Sequence, residues 1–183
     1  ATITEGRTEF VVLLGNLVPS SSVAAWKAFT QTWGVILSGS EPPEGGQLRV
    51  RTLPVAGNTD AAQDDRYTGF GAAFPGVGAD IGFNLVATWY HVDLAVANHT
   101  WRLVVVDSNK SSLGSRWDEQ MAYLEKSLTA DQDAYDSVLV FVHHPLITLA
   151  AGQPSNEGEA TSELLAQIDG ATKVGAIKAV FSS

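Results

Sequence analysis

The 183-residue chain contains no cysteine, and this absence narrows its chemistry. Without thiols, the protein forms no disulfide, no cysteine-ligated zinc site and no thiol nucleophile. The absence of cysteine is compatible with any compartment. Low lysine content and many glycine, alanine and threonine residues favour an extracytoplasmic location, which we state as an expectation.

The chain is also poor in positive charge and in long apolar runs. Its 11 Lys and Arg against 20 Asp and Glu give a formal net charge of −9, which repels phosphate backbones and argues against a nucleic-acid groove. No apolar run approaches the roughly 18 residues that a membrane helix needs, so we expect no membrane span. A content of 45% hydrophobic and 17% charged residues is typical of a folded protein. The length suits one domain over residues 1–183.

Apolar runs and helical patterns alternate along the chain. Continuous apolar, β-branched runs indicate buried strands, and six are predicted, at residues 9–14, 49–55, 86–96, 101–106, 137–142 and 176–181. Apolar residues at three- and four-residue spacing predict helices over 23–36 and 116–128, and Thr161 or Ser162 is predicted to cap a third. Residues 61–82 are expected to form a long loop with one helical turn. This alternation predicts an α/β fold with mixed β-sheets flanked by helices.

Three of the predicted strands end in polar clusters. These are Gly15-Asn16, residues 57–60 (GNTD) and His143-His144-Pro145. Ligands of open α/β sheets bind beyond the carboxyl ends of strands, so we expect the three clusters to converge. Each cluster alone has a simpler interpretation, since Gly-Asn pairs are common turns and a His pair before proline can end a strand.

The order and spacing of these clusters resemble the calcineurin-like metallophosphoesterase superfamily, which includes the purple acid phosphatases. Residues 10–16 (FVVLLGN) match the family's Gly-Asp motif, 54–60 (PVAGNTD) its Gly-Asn-His-Asp/Glu motif and 138–146 (VLVFVHHPL) its His before a proline. Residues 101–108 and 179–182 resemble the strands before its Leu-Asp-Ser/Thr and Gly-His-x-His motifs. The resemblance spans residues 10–182 and implies the family's αββα sandwich.

The resemblance also implies roles for residues that match the family's motifs. Asn58 and His143 correspond to metal ligands, Asp60 to an orienting carboxylate, and His144 to a substrate contact. The family's Asp-x-His and Gly-His-x-His motifs have no counterpart within residues 1–183. We therefore expect a domain that is incomplete at both ends and lacks the first βα unit and the C-terminal part.

Two residues depart from the family's pattern. Asn16 stands in the slot of the aspartate that bridges two metal ions, and a neutral amide cannot supply the anionic bridge that two adjacent dications need. Thr59 stands in the slot of the catalytic histidine, and its hydroxyl does not titrate near neutrality. We therefore expect a degenerate metal site and no metal cofactor in the chain as it stands.

Three functional hypotheses remain open. The first is an inactive metallophosphoesterase-like domain with a binding or structural role, whose partner is a protein or a phosphorylated small molecule. The second is a fragment of a phosphoric ester hydrolase, whose completed site would hold two divalent ions (Mn, Fe or Zn). Truncation does not explain Asn16 and Thr59, which lie inside the chain. The third is an unrelated α/β interaction module whose motif matches are coincidental.

The remaining histidines and tryptophans have structural interpretations. His91 alternates with apolar neighbours on a predicted strand and is expected to be a structural histidine. His99 is expected at a solvated hairpin tip, within an Asn-His-Thr glycosylation pattern that starts at Asn98. Trp26 and Trp33 lie on the apolar stripe of the first helix and are expected in the core.

Overall fold

The computed structural model describes residues 10–37, 51–61, 67–74, 88–129, 132–145, 158–172 and 175–183. Within these ranges the strands are β1 (Phe10–Leu13), β2 (Arg51–Pro54), β3 (Tyr90–Val96), β4 (His99–Val105), β5 (Ser137–Phe141) and β6 (Ile177–Phe181). The helices are α1 (Val23–Leu37), α2 (Asn58–Ala61), α3 (Thr68–Ala73), α4 (Lys110–Leu113), α5 (Arg116–Thr129) and α6 (Gly158–Ala171). In this part of the chain, every helix is too short or too polar to span a membrane.

The strands form two sheets. β1 and β2 pair in parallel, with Val12 opposite Leu53. The second sheet has the order β3-β4-β5-β6, in which β3 and β4 form an antiparallel hairpin while β5 pairs in parallel with both of its neighbours. The second sheet is therefore mixed, and the predicted α/β class is confirmed.

The two sheets pack face to face. Leu103 of β4 lies in a buried cluster with Leu53 of β2 and with Tyr90 of β3. The Tyr90 hydroxyl donates a hydrogen bond of 3.0 Å to the Pro54 carbonyl, which joins the sheets directly. This apolar layer lies between the two sheets.

Helices cover the other face of the larger sheet. Val104, the neighbour of Leu103 on β4, lies in a second cluster with Leu124 of α5 and Leu164 of α6, and all three are fully buried. Successive side chains of a strand point to opposite faces, so burial of both faces requires a continuous apolar run. This requirement explains the apolar runs at residues 103–105 of β4 and 138–141 of β5.

Helix α1 is held by aromatic contacts along only part of its length. Trp26 is buried, and its ring meets those of Phe29, Phe70 and Phe74 edge-on at centroid distances of 5.6, 6.0 and 6.4 Å. Trp33 was expected in the core, but it is 47% exposed, so that prediction is wrong. The helix packs on β2 and on the six-residue α3.

Of two further sequence expectations, one agrees with the structure and one needs correction. Residues 68–73 form helix α3, in agreement with the helical turn expected within the loop over 61–82. Residues 62–66 and 75–82 of that segment lie outside the described ranges, as do residues 86–87 of the strand predicted over 86–96. Helix α6 begins at Gly158, so Thr161 and Ser162 lie inside it and neither is its N-cap. The apolar pattern predicted the helix but not the residue at which it begins.

The β3–β4 hairpin turns at Ala97 and Asn98, where Ala97 has a φ of +54°. His99 was expected at the solvated tip, but it is the first residue of β4, and its Nε2 lies 3.0 Å from the Ser137 hydroxyl. The predicted tip position is wrong because the turn is shorter than expected, while the predicted contact with solvent is confirmed, since the side chain is 44% exposed. His91 lies on β3 with its Nδ1 2.6 Å from the Tyr123 hydroxyl, in agreement with a structural histidine.

The hairpin is tied to α5 by the buried Arg102. Its guanidinium donates to both carboxylate oxygens of Asp93 at 2.8 and 2.7 Å and also donates to the Ser127 carbonyl. Its charged group lies 4.5 Å from the centre of the Tyr135 ring. The planar guanidinium makes all these contacts together, which a lysine ammonium cannot do.

We expect Arg102→Met to lower the free energy of unfolding by about 2–4 kcal/mol, because it leaves Asp93 and the Ser127 carbonyl without their partner. Urea denaturation measures the change. The exposed Lys126 on α5 gives a matched control, and Lys126→Met should stay within about 0.5 kcal/mol of the wild type. Equal effects of the two changes would contradict this role of Arg102.

Candidate functional site

The polar clusters that follow β1, β2 and β5 come together at the carboxyl ends of these strands. The Thr59 N–H donates to Asn16 Oδ1 at 3.1 Å, which joins the first cluster to the second. Nε2 of His143 lies 3.2 Å from Asn58 Oδ1, which joins the third cluster to the second. The expected convergence is therefore present in the structure.

Asn16 and Thr59 are hydrogen-bonded directly to each other. Oδ1 of Asn16 accepts from the Thr59 N–H and lies 2.9 Å from the Thr59 hydroxyl oxygen, which is also 2.6 Å from the Val18 carbonyl oxygen. A backbone N–H can only donate, so the Asn16 atom that faces Thr59 is the amide oxygen. The Asn16 NH₂ group therefore points away from Thr59 at an exposed position.

Asp60 holds the loop after β1 against the loop after β2. Its carboxylate accepts from the N–H groups of Leu17 at 2.8 Å, Val18 at 3.1 Å and Gly57 at 2.9 Å. The side chain is fully buried, and burial raises its pKa against the opposing effect of these N–H groups and of His143. The resemblance implies an orienting carboxylate at this position. In the structure, the Asp60 carboxylate holds backbone N–H groups rather than the Thr59 side chain.

His143 is buried between three segments of the chain. Its Nδ1 lies 2.8 Å from the Leu14 carbonyl oxygen and 2.7 Å from the Ser183 hydroxyl. A carbonyl only accepts, so the contact with Leu14 requires a proton on Nδ1. Nε2 then faces Asn58, and a histidine held in this way by a carbonyl is typical of metal ligands.

His144 is held by the segment that follows β4. Its Nδ1 lies 2.7 Å from the Ser108 hydroxyl, and its backbone N–H donates to the same oxygen at 3.2 Å. Burial and the neighbouring His143 ring, 4.7 Å away, lower the pKa of His144 to about 4. His144 is therefore neutral near pH 7. The substrate contact that the resemblance implies for it stays a prediction.

The segment Asp107-Ser108-Asn109 was not among the candidate site residues. Asp107 Oδ1 accepts from the Asn109 N–H at 2.9 Å and from its amide group at 2.7 Å, and that amide also reaches the Ala56 carbonyl at 3.3 Å. Gln120 of α5 pairs with the backbone N–H and carbonyl of Asp107. The available signal was a polar run directly after a buried strand, the same signal that identified the other three clusters.

Glycine at position 15 allows the strand ends to approach closely. Its φ is +93°, and a Cβ atom there would lie 2.5 Å from Nδ1 of His143. At Gly57 a Cβ atom would collide with the Asn16 backbone nitrogen. Neither position has room for a side chain, and the positive φ of Gly15 also favours glycine there.

The residues at this site do not fit the two metal ions that the resemblance implies. Asn58 Oδ1 and His143 Nε2 are close enough to contact one ion, but even a single zinc site has three protein ligands as a rule. Asn16 is neutral and its oxygen already faces two Thr59 groups. Across the described ranges, no three His, Cys, Asp or Glu side chains are grouped to hold a metal ion.

Comparison of the chain with protein-family models finds no match. A comparison with curated proteins also finds none. Among solved structures, the chain is similar to "GAP50 the anchor in the inner membrane complex of Plasmodium", with 15% sequence identity and a TM-score of 0.45. The similarity covers 88% of this chain and 52% of that structure, so the chain spans about half its length.

We expect Gly15→Ala to lower the free energy of unfolding by about 2–4 kcal/mol, because it combines backbone strain with a collision against His143. Gly175 is a matched control, since its φ is +75° and a Cβ atom there meets nothing within 4 Å. Gly175→Ala should cost only about 1–2 kcal/mol, the strain alone. Equal losses in urea denaturation would show that the contact with His143 is unimportant.

Burial raises the pKa of Asp107 from its ordinary value of 3.8, which links stability to pH. The Asp107 carboxyl then binds its proton more tightly in the folded chain than in the unfolded chain. Its contribution to the free energy of unfolding is therefore fully present below pH 3.8 and is lost as the pH rises through the pKa of the folded state. We expect the unfolding free energy of the wild type, relative to Asp107→Asn, to fall as the pH rises from about 4 and then to level off. Urea titrations across this range test the prediction, and a constant difference would contradict it.

Proposed function

We propose that the chain is a metallophosphoesterase-like domain with a degenerate metal site, which binds a ligand or partner rather than hydrolysing phosphate esters. The proposal takes its two packed sheets with flanking helices to be the family's αββα sandwich. Its support is the position of the polar clusters, since three strand ends that match family motifs meet at one place. The family's metal chemistry would take place at this point of the fold.

The direct contact between Asn16 and Thr59 is the observation that carries the proposal. The resemblance places an anionic aspartate and a titrating histidine at these positions, where they would serve two metal ions. Here the Asn16 amide oxygen accepts from the Thr59 backbone N–H and lies 2.9 Å from the Thr59 hydroxyl oxygen. The loops after β1 and β2 are therefore held together by hydrogen bonds of the chain itself.

The remaining groups at the site are suited to an anion. The Asn16 NH₂ group points away from Thr59, and the exposed Asn58 contributes a second amide. The carboxylates of Asp60 and Asp107 are fully buried, so neither offers an exposed negative charge at the site. Amide N–H groups donate to oxyanions. We therefore propose a phosphorylated small molecule as the ligand, with a protein partner as the second candidate.

One observation favours the alternative, a fragment of a phosphoric ester hydrolase. Nδ1 of His143 meets the Leu14 carbonyl, and Nε2 lies 3.2 Å from Asn58 Oδ1, so two residues that match family ligands remain adjacent. A completed site would need two divalent ions, with further ligands from outside this chain. Asn16 and Thr59 weigh against this alternative because ligands supplied elsewhere do not restore the bridging charge.

Metal analysis combined with turnover distinguishes the two functions. We expect the purified protein to hold much less than one manganese or zinc ion per chain and to leave chromogenic phosphomonoesters and phosphodiesters intact in added manganese. Binding of inorganic phosphate should be unchanged by a chelator. Stoichiometric metal, together with turnover that Asn16→Ala and His143→Ala abolish, would overturn the proposal in favour of the hydrolase.

The two departures from the family's pattern can also be reversed together. In a longer version of the chain that supplies the outer motifs, Asn16→Asp with Thr59→His should tighten Mn²⁺ binding by about tenfold or more, because it restores a bridging anion. Calorimetric titration with Mn²⁺ measures the affinity. Asn98→Asp, at the exposed hairpin turn, makes the same change of charge away from the site and should leave the affinity unchanged. No gain in the double variant would show that ligands missing elsewhere limit binding.

A further inference from the structure

Three buried oxygen atoms beside the candidate site have no hydrogen-bond partner in the part of the chain that the structure describes. They are the Tyr67 hydroxyl, the Thr88 hydroxyl and Oδ2 of Asp107. All three residues are fully buried. A buried polar atom without a partner costs free energy, because it has given up its hydrogen bonds to water. Three such atoms in one region therefore point to a further partner.

The three atoms belong to one region of the fold, where three segments of the chain meet. Tyr67 precedes α3, Thr88 precedes β3 and Asp107 follows β4. Trp89 and Val106, the sequence neighbours of the last two, lie in the same buried cluster as Tyr67. Both hydroxyls are close enough to the Asp107 carboxyl to lower its pKa against the effect of burial, yet neither meets Oδ2 in hydrogen-bond geometry. The three oxygens are therefore neighbours that approach one another without bonding.

A water molecule has the chemistry that this group of atoms lacks. An ionised carboxylate oxygen only accepts, whereas each hydroxyl can both donate and accept. A water among them can donate to Oδ2 of Asp107 and bond to both hydroxyls, which gives it the roughly three partners that buried waters have. The other oxygen, Oδ1, already accepts from Asn109. A metal ion fits less well, since calcium and magnesium take about six oxygen ligands or more.

We propose that Tyr67, Thr88 and Asp107 form a binding site for one ordered water molecule. This water ties the segments before α3 and β3 to the segment after β4. The segment after β4 also holds His144, through the hydroxyl of Ser108. The water therefore supports the part of the candidate site that positions His144. The inference is independent of the proposed function, because it concerns neither the metal nor the ligand of the site.

A high-resolution crystal structure of the wild type tests the site directly. We expect a solvent peak at about 2.7–3.2 Å from all three oxygens, the range of ordinary hydrogen bonds. A direct hydrogen bond between either hydroxyl and Oδ2 of Asp107, with no solvent peak, would overturn the proposal. Six or more oxygen contacts at about 2.0–2.6 Å would also overturn it, because they indicate a metal ion.

Trp26 supplies a matched control within the same crystal. Its Nε1 is also buried without a hydrogen-bond partner, but its ring is surrounded by those of Phe29, Phe70 and Phe74. We expect no water at this atom, because a buried water needs about two to four polar partners. A water there as well would contradict the argument, since grouped polar partners would then not decide where water binds.

Variants test the two hydroxyls as partners of the water. Tyr67→Phe and Thr88→Val each remove one hydroxyl and keep the shape of the side chain. Each should retain the solvent peak and lower the melting temperature by about 2–6 °C. The double variant leaves only Asp107 to bind the water and should lose the peak. Thr32→Val, at an exposed position on α1, should change the melting temperature by less than about 1 °C.

Water retained in the double variant would overturn the assignment of the two hydroxyls. If the variants fold poorly, NMR of the wild type gives an independent measurement. We expect a nuclear Overhauser effect between water and the ring protons of Tyr67, with the sign of a water that stays bound for longer than the protein takes to tumble. Absence of this effect would contradict the proposal.

Discussion

The β1–β2 sheet covers one side of β4 and β5, and α5 and α6 cover the other, so the backbones of these two strands are fixed from both directions. Leu103 and Val104, neighbours on β4, belong to different buried clusters. The polar residues that follow β4 and β5 are buried as well, and hydrogen bonds satisfy Asn109 and His143 there. The site residues after β4 and β5 follow directly from this constraint, and those after β1 and β2 follow from the packing of the two sheets.

Much of the fold could be predicted because its signals are local. A continuous apolar run marks a strand buried on both faces, and the stripe of α5 marks a helix with one buried face. The predictions failed where a distant contact decides the outcome. Trp33 continues an apolar stripe, but it is 47% exposed, because burial depends on neighbouring elements and not on the stripe alone. His99 follows a turn sequence, but its place in β4 depends on pairing with β3 and on Ser137.

The same distinction applies to the candidate site. The polar ends of three strands could be found in the sequence. Because ligands of open α/β sheets bind beyond the carboxyl ends of strands, these ends could also be predicted to lie together. The hydrogen bond between Asn16 and Thr59 could not be found in this way, because it depends on how two loops meet across 43 positions. Ser108 also follows a buried strand, a signal that was available, but its contact with a histidine 36 positions away could not be read from the sequence.

His143 contacts residues that follow strands of both sheets. Its Nδ1 meets the Leu14 carbonyl after β1 and the Ser183 hydroxyl after β6, while Ser183 N–H donates to the His143 carbonyl. β1 and β6 belong to different sheets, and β6 pairs only with β5 in the described part of the chain. One imidazole ring therefore mechanically couples the end of the second sheet to the first. Displacement of β6 by an ångström would stretch these bonds or rotate the ring, so strain applied at this strand would reach the Asn58 side of the site through a single side chain.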